Sequence, residues 1–313
     1  MGRPNVTSAD VAAAAGVSRA TVSYVLNGVD ARVSDETRAR VLEAAKQLGY
    51  VPNPVASALR AGRTSIVLLA LPAWPLGPPV AERVTACVIA LERLGYTPLV
   101  HFRHASGPDA LQRACDRVMP VGLIGPAADL PPDRVEALRA HGTRAVIALS
   151  RRPLKHVMTF AFEQRLVGSV AIEHLAERGH RHVLALLPTD PELVELGRVR
   201  LDGAYDAAAR HGVTVTPAVD LAEGLATGPT AVYAFNDELA LGARSALPEG
   251  MALIGTDDSP AARLADPPLT TIALGTSAGW EQIAQRLHEM VNDDKADRTP
   301  IIERPELVLG ATT

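Results

Sequence analysis

No apolar run in the sequence approaches the roughly 20 residues needed to cross a bilayer. The longest candidate, IVLLALPAWPLG from Ile66 to Gly77, is interrupted by two prolines. Polar residues stand at the N-terminus where the apolar core of a secretory signal would lie, so a cytoplasmic protein with no membrane partner is expected. Cysteine is scarce as well. With only Cys87 and Cys115, a cysteine-rich zinc site is excluded. Both lie in helix-like apolar patterns, where small reduced core residues are a simpler reading than a disulfide or a metal pair. Aromatic residues make up only 4% of the chain, which leaves few stacking platforms for a ring-shaped ligand. A serine nucleophile elbow, a phosphate-cradling glycine loop and a paired-carboxylate motif are all missing in their required contexts. Neither a catalytic site nor a cofactor is therefore expected. HLAERGHRHV offers His174, His180 and His182, but basic residues at a helix C-terminus have a dipole explanation, and a structural role is preferred to a metal.

What remains is a chain of 313 residues with 47% hydrophobic content, enough for two or three well-buried domains. Its net charge of −4 is unevenly spread: residues 1–63 carry +3 and the remaining 250 carry −7. A basic head on an acidic body places any anionic partner at the head.

In that head, Thr7 followed by Asp10 reads as a variant capping box, and the helix it opens, SADVAAAA, stops at Gly16. Ser18 caps the next helix. Helix, short glycine turn and helix together form a helix-turn-helix pattern. A third helix opens at Ser34 with Asp35 and Glu36 at its positive end, and Val41, Leu42, Ala45 and Leu48 are its expected apolar stripe. In the second helix, Val22, Val25 and Leu26 recur at helical spacing and hold it to the bundle. Arg19, Ala20, Ser23 and Tyr24 lie on its other side. The second helix of such a motif enters the major groove with its N-terminal residues nearest the bases. Arg19 then suits a bidentate contact to guanine, and Ala20 leaves room for a thymine methyl. An ordinary solvated helix face explains the same residues equally well. Beyond lies YVPNPVASALRAGRT, linker-like at both ends but helix-prone in its centre, a helix too short to form without a partner.

VTSADVAAAAGVSRATVSYVLNG, RVSDETRARVLEAAKQLGYVPNPVASALRAGRT and the body that follows resemble the lactose/galactose-repressor family of bacterial transcriptional regulators along essentially the whole chain. The resemblance implies a repressor acting as a homodimer on a two-fold-symmetric, double-stranded DNA operator, with paired hinge helices opening the minor groove. Leu59 falls on the family's inserted leucine, an apolar wedge of the kind that kinks DNA. Arg19 and Ala20 fall on the positions that most distinguish operators, and Tyr24 stands where many members carry arginine or histidine. Thr7, Ser18, Thr21, Asn27, Arg32, Ser34 and Asn53 fall on backbone contacts, which position the protein without reading sequence.

From Thr64 onward apolar runs alternate with helical patterns. SIVLLAL, TPLVHF, PVGLIG and RAVIAL read as buried parallel strands, and HVLALL, TAVYAF and MALIGT make a second set. Two successive α/β units of doubly wound type follow, with a cleft between them at the carboxyl ends of the strands. The expected fold class is α/β. A three-helix head (1–51) and a hinge helix or linker (52–63) precede a periplasmic-binding-protein-like core of parallel sheets flanked by helices (64–313). Its first subdomain is expected at 64–159 and 275–294, and its second at 160–274 and 295–313. Asn236 and Asp237 follow one strand, Asp257 and Asp258 follow another, and Arg200 is read in the first turns of a helix. Amide, carboxylate and guanidinium groups around one cleft suit a polyhydroxylated ligand or a nucleobase. Each alone is equally a helix cap or a solvated loop charge. Matching to the family's FND, GTDD and RxxG positions makes Arg200, Asn236 and Asp257 the effector-binding candidates, with Trp74 and Phe162 as aromatic walls. PPLTTI, Pro267 to Ile272, marks the return strand.

Four features depart from the family. Only DLAEGLATG separates Val219 from Pro229 where an added helix is usual, and only LPEG separates Ala246 from Met251. Gly310 replaces a common arginine and Glu163 a common aspartate. These leave two alternatives standing: an effector-independent DNA binder with a degenerate cleft, or a solute-binding module or enzyme on the same core. Nothing at the C-terminus reads as a heptad zipper, so a dimer is expected rather than a tetramer.

Overall fold

A computed structural model describes residues 6–26, 33–50, 64–71, 77–102 and 109–313. The chain divides into two units, residues 1–64 and 65–313. Asn27, Arg32, Asn53, Leu59 and Trp74 lie outside the described residues.

The first unit contains α1 (Ser8–Ala15), α2 (Arg19–Leu26) and α3 (Asp35–Leu48). Each start is set by a short polar side chain. Thr7 gives its backbone N–H and its hydroxyl to Asp10 Oδ2 at 2.8 and 2.7 Å. Thr21 N donates to Ser18 Oγ at 3.1 Å, and Thr37 N to Ser34 Oγ at 3.3 Å. Gly16 and Gly49, both left-handed, end α1 and α3. Among the described residues the buried core is valine and alanine (Val11, Ala12, Ala15, Val22, Val25, Val41, Ala44 and Ala45), with Val17, Leu26, Val33 and Tyr50 packed partly buried against it. The stripe expected on α3 is corrected here. Val41, Ala44 and Ala45 face inward, whereas Leu42 is 49% and Leu48 38% exposed. Packing against α1 and α2 selects one narrow i, i+3, i+4 ridge, and Leu42 stands one residue off it.

The second unit holds two parallel sheets. The first takes β1 (Ile66–Leu71), β2 (Thr97–Phe102), β3 (Gly122–Pro126), β4 (Ala145–Ser150), β5 (Met158–Phe162) and β11 (Ile301–Glu303), in the order β11-β5-β4-β3-β1-β2. Helices α4 (Pro78–Arg93), α5 (Ala110–Val118), α6 (Pro132–Ala140) and α12 (Ser277–Asn292) accompany it. The second sheet takes β6 (His182–Leu186), β7 (Thr214–Ala218), β8 (Ala231–Ala234) and β9 (Ala252–Ile254), ordered β7-β6-β8-β9. With it go α7 (Gln164–Glu177), α8 (Pro191–His211), α9 (Leu221–Leu225), α10 (Asp237–Ala243) and α11 (Pro260–Leu264). A separate antiparallel pair joins β10 (Thr271–Leu274) to β12 (Pro305–Val308). Strand interiors are continuously apolar because helices cover both faces; Val67, Leu69, Ala145 and Ile147 are fully buried.

Topology corrects the expected subdomain edges. β5 pairs with β4, and β11 pairs with β5, so residues 160–162 and 301–303 belong to the first sheet and not to the second subdomain. The chain crosses between the two sheets at Glu163, Gly275 and Arg304. Glu163 N donates to Glu303 O at 3.2 Å, and its carboxylate meets Arg304 Nε at 3.2 Å, tying two crossings together. β2 is likewise parallel but not buried. It forms the sheet edge, with Leu99, Val100 and Phe102 each more than a third exposed. The nine residues DLAEGLATG still form a short helix, α9, capped by Asp220. Its Gly224 packs closely on Leu184 of the core. At Gly310 a Cβ would stand 2.3 Å from the Pro268 carbonyl oxygen, so a side chain of any kind is excluded where the tail passes residues 268–270. Cys87 and Cys115 are free and buried, and burial pushes their thiols up to about 12 and about 11. His174, His180 and His182 each meet a different threonine: Thr313, Thr230 and Thr216.

Candidate functional site

Two groups of side chains stand out, one in each unit. On α2, Val22 and Val25 are buried, while Arg19, Ala20 and Tyr24 are exposed and Ser23 is half-buried. Burying one valine ridge leaves the opposite face outward, so the helix presents a short, mixed surface led by a guanidinium at its first residue. Thr7, Ser18, Thr21 and Ser34 lie at helix starts, where their hydroxyls are engaged locally: Thr7 with Asp10, Ser18 with Thr21 and Ser34 with Thr37.

The second group lies at the carboxyl edges of both sheets, and its geometry begins with two glycines. A Cβ on Gly168 would come within 1.9 Å of Arg200 O, and one on Gly203 within 1.7 Å of Arg165 O. Their absence lets α7 and α8 run backbone against backbone. Arg200 is thereby held against the start of α7, and its side chain is only 6% exposed. The sequence reading of Arg200 is corrected: α8 starts at Pro191, with Asp190 as cap, so Arg200 sits mid-helix. Proline at the first helical position continues the helix because its missing N–H has no partner there anyway.

Arg200 Nε donates to Gln164 Oε1 at 2.9 Å and Nη1 to the Phe235 carbonyl at 2.6 Å. The guanidinium also lies over the Phe235 ring, 4.5 Å from its centroid. Three contacts fix the plane, leaving Nη2 pointed at Asp257 Oδ1, 3.8 Å away. Asp257 follows β9 with φ +108° and Asp258 with φ +53°. Such a conformation costs about 1–3 kcal/mol in a non-glycine residue and persists only where neighbours impose it. Those neighbours are visible. Asp257 N donates to Ile272 O at 2.8 Å, and Asp258 N to Thr271 Oγ1 at 3.2 Å. Asp258 in turn takes both Nε and Nη2 of Arg263, at 2.9 and 2.6 Å. Asp237, buried, accepts from Ser259 N at 2.7 Å and Thr271 Oγ1 at 2.5 Å, clamping this loop to α10.

From the first sheet's side, Arg83 of α4 reaches across and donates through Nη2 to the Asp257 carbonyl at 3.4 Å. Burial holds its pKa below the ordinary value, against the charges of Asp257, Glu82, Glu303 and Asp258. Burial also raises the Asp257 carboxyl to about 6, with Asp237 adding to the rise and Arg200 and Arg83 opposing it. Phe162, at the end of β5, packs edge-on against Phe160 at 4.6 Å and leans on Trp280 at 6.3 Å. It is held more as core than as an open platform, though its ring also borders Gly275 beside Arg83.

Of the sequence candidates, Arg200 and Asp257 come together directly. Asn236 stands next to Phe235 but spends Oδ1 on the α10 cap, accepting from Leu239 N at 2.8 Å, so only its Nδ2 donor is left for a ligand. Arg83, Gln164 and Phe235 were not singled out by sequence. Asp237 was noted beside Asn236 but not carried among the effector-binding candidates. Arg83 carries no local signal, since nothing in PPVAERVTACVIALER distinguishes it from a solvated helix arginine.

The comparisons with known proteins agree with this architecture. Residues 7–53 match a model of bacterial regulatory proteins of the lacI family, and residues 172–313 match a periplasmic binding protein-like domain. The HTH-type transcriptional regulator MalR of Streptomyces coelicolor is 31% identical, covering 97% of this chain and 96% of its own. The HTH-type transcriptional repressor CytR of Escherichia coli is 29% identical, covering 98% and 96%. Among solved structures, a lac repressor dimer bound to operator and the anti-inducer ONPF superposes with a TM-score of 0.76. It is 27% identical and covers 98% of this chain and 99% of that one. With a helix-turn-helix head, a two-sheet core and relatives matched over nearly their full length, the chain belongs to the LacI family of DNA-binding transcriptional regulators.

Proposed function

We propose that the protein is a dimeric repressor that reads a two-fold-symmetric operator through α2 and is controlled by a small polyhydroxylated or nucleoside-like ligand in the cleft. The observation that carries the ligand half is the meeting of Arg83 and Arg200 at Asp257, one arginine from each side of the cleft. A ligand hydroxyl or amide group inserted there accepts from a guanidinium, donates to the carboxylate, and separates or locks the two sheets. The Nδ2 donor of Asn236 adds a further polar contact. Binding of this kind changes how the subdomains close, and coupling to DNA is reciprocal. For the dimer, the supporting feature is the exposed edge of β2, where Leu99, Val100 and Phe102 are each more than a third exposed. An exposed apolar edge strand is an association surface unless something covers it. The partner proposed is a second copy, as in the lac repressor dimer.

A second reading has its own support. Arg83, Arg200 and Asp257 already satisfy one another without a ligand, as expected of a closed scaffold. Thermal unfolding against a panel of sugars, nucleosides and related metabolites separates the two. A ligand at 100 times its Kd stabilises by about 2.7 kcal/mol, and one such shift, lost in Arg200→Ala, supports the switch. Silence across the panel supports the scaffold. Selection of bound sequences from random DNA tests the operator half, and recovery of no symmetric site rejects it. Val100→Glu is expected to shift the protein to monomer in sedimentation, with operator affinity falling alongside.

A further inference from the structure

The cleft occupies the carboxyl edges of the strands. At the opposite, amino edge of the first sheet lies a second concavity. Arg139, Gly142, Thr143 and Arg144, from the end of α6 and the approach to β4, meet Asp294 and Arg298 from the segment after α12 around a cavity of about 280 Å³. Arg144 is paired with Asp294, Nη2 to Oδ1 at 3.1 Å. Arg139 and Arg298 have no carboxylate within ion-pair distance among the described residues. Their charges act on each other instead. Burial first, and then the Arg298 charge, hold the Arg139 pKa below its ordinary value, with only Glu136 opposing. Arg139 does sit in the last turn of α6, where a cation suits the helix dipole. That does not account for Arg298, which comes from a separate segment and brings a second positive charge to the same hollow.

Like charges crowded without a counter-ion make a site for an oxyanion. The guanidinium fork matches a phosphate with two parallel hydrogen bonds, and it is more weakly hydrated than an ammonium, so it gives up water readily. With Arg144 already neutralised by Asp294, the two remaining charges equal those of a phosphate dianion. The hollow is open and its arginine side chains are exposed, so it admits a terminal phosphoryl group with the rest of a small ligand left in solvent. We propose that this pocket is a second ligand site, distinct from the cleft, that takes the phosphoryl group of a small phosphorylated metabolite on Arg139 and Arg298.

Its place in the fold gives such a ligand leverage. Val121 N donates to Ile66 O at 2.9 Å, and Arg144 N donates to Val121 O at 2.8 Å. Arg144 is therefore two hydrogen-bonded strands, about 10 Å, from the residue where the chain enters this unit. The site lies beside the anchorage of the segment that joins the two units.

The test is calorimetric titration of the DNA-free, full-length protein with inorganic phosphate and pyrophosphate at low salt. Saturable binding is expected, weakened about tenfold or more in Arg139→Gln and in Arg298→Gln, as expected for losing a charged hydrogen bond. Arg298→Lys keeps the charge but loses the fork and is expected between the two. Far-UV circular dichroism checks that each variant is folded. Arg210→Gln, which removes an exposed arginine of the second sheet's helices, is expected to leave phosphate binding unchanged. Absence of saturable binding, binding that survives both glutamine variants, or an equal loss in Arg210→Gln would each overturn the proposal. So would a uniform drop in DNA affinity in Arg298→Gln without phosphate binding to the free wild type, which would make the pocket a DNA-backbone contact.

Discussion

The two functional regions are assembled in opposite ways. The face of α2 proposed to read DNA is local: eight consecutive residues, one cap and two buried valines orient the side chains that this helix presents. The cleft is non-local. Arg83, Arg200 and Asp257 are brought together by a close helix pair, three chain crossings and a clamped loop. A local site depends on the stability of one small bundle; a non-local site depends on the relative placement of large, well-packed elements. Changes that move an element should therefore damage the cleft and spare the head, while changes to single exposed side chains should do the reverse.

The largest expected effect comes from closing the gap between α7 and α8. Gly203→Ala puts a methyl group where the Arg165 carbonyl oxygen lies, and backbone cannot rotate away as a side chain can. Overpacking of this kind costs about 3 kcal/mol. Thermal unfolding should show the core transition lowered, with ligand-induced stabilisation lost because Arg200 is displaced. DNA binding by the folded fraction should retain its base preference. A core that melts as the wild type does would mean that the helix pair has slack that the geometry denies.

Next is Arg19→Ala, which is expected to cost about 1–3 kcal/mol of discrimination at one operator position while leaving non-specific binding nearly unchanged. Competition binding at one stated salt concentration reads both quantities, and equal losses on specific and random DNA would reduce Arg19 to a phosphate contact. Ser34→Ala should follow at about 1 kcal/mol, the typical value of a helix cap. The head can ill spare it, since the buried side chains of its core among the described residues are small. The readout is amide exchange in α3, and protection equal to wild type would show that the cap is redundant.

Legibility in the sequence follows the same division. The head's helices were readable from Thr7, Gly16, Ser18 and Ser34, because caps and left-handed glycines are local signals. Leu42 was misread because periodicity gives a helix an apolar side but does not say how wide a ridge its neighbours cover. In the core, strands β1, β3 and β4 were legible as apolar runs. The partnership of β5 and β11 was not, since no residue in TFAF or IIE says which sheet it joins. Arg200 was located by its RxxG context, yet its burial depended on a helix start at Pro191 that reads as loop. Arg83 was invisible because its role arises only from a contact 174 residues away.

The smallest effect tests whether Asp257 is held by its surroundings against its own charge. Its carboxyl sits near pKa 6 in the folded chain because burial outweighs the two arginines, against about 3.9 when unfolded. A raised acid pKa means that the folded state holds the proton longer than the unfolded state. Between about pH 4 and 6 the native chain therefore binds more protons, and this group's contribution to stability falls as pH rises through that window. Above it the full penalty of the anion is present. Asparagine mimics the protonated form and carries no such penalty. The melting temperature of Asp257→Asn should thus exceed that of the wild type at pH 8, with the gap shrinking toward pH 5. About a third of the side chain reaches solvent, so the gap should be modest, about 2–4 °C for each kcal/mol in a unit of this size. A gap that does not change with pH would show the arginines to balance burial, and one that reverses at pH 8 would show them to outweigh it. Asp257 would then be a settled ion-pair partner, and a ligand would have to displace it from Arg200 before it could bind.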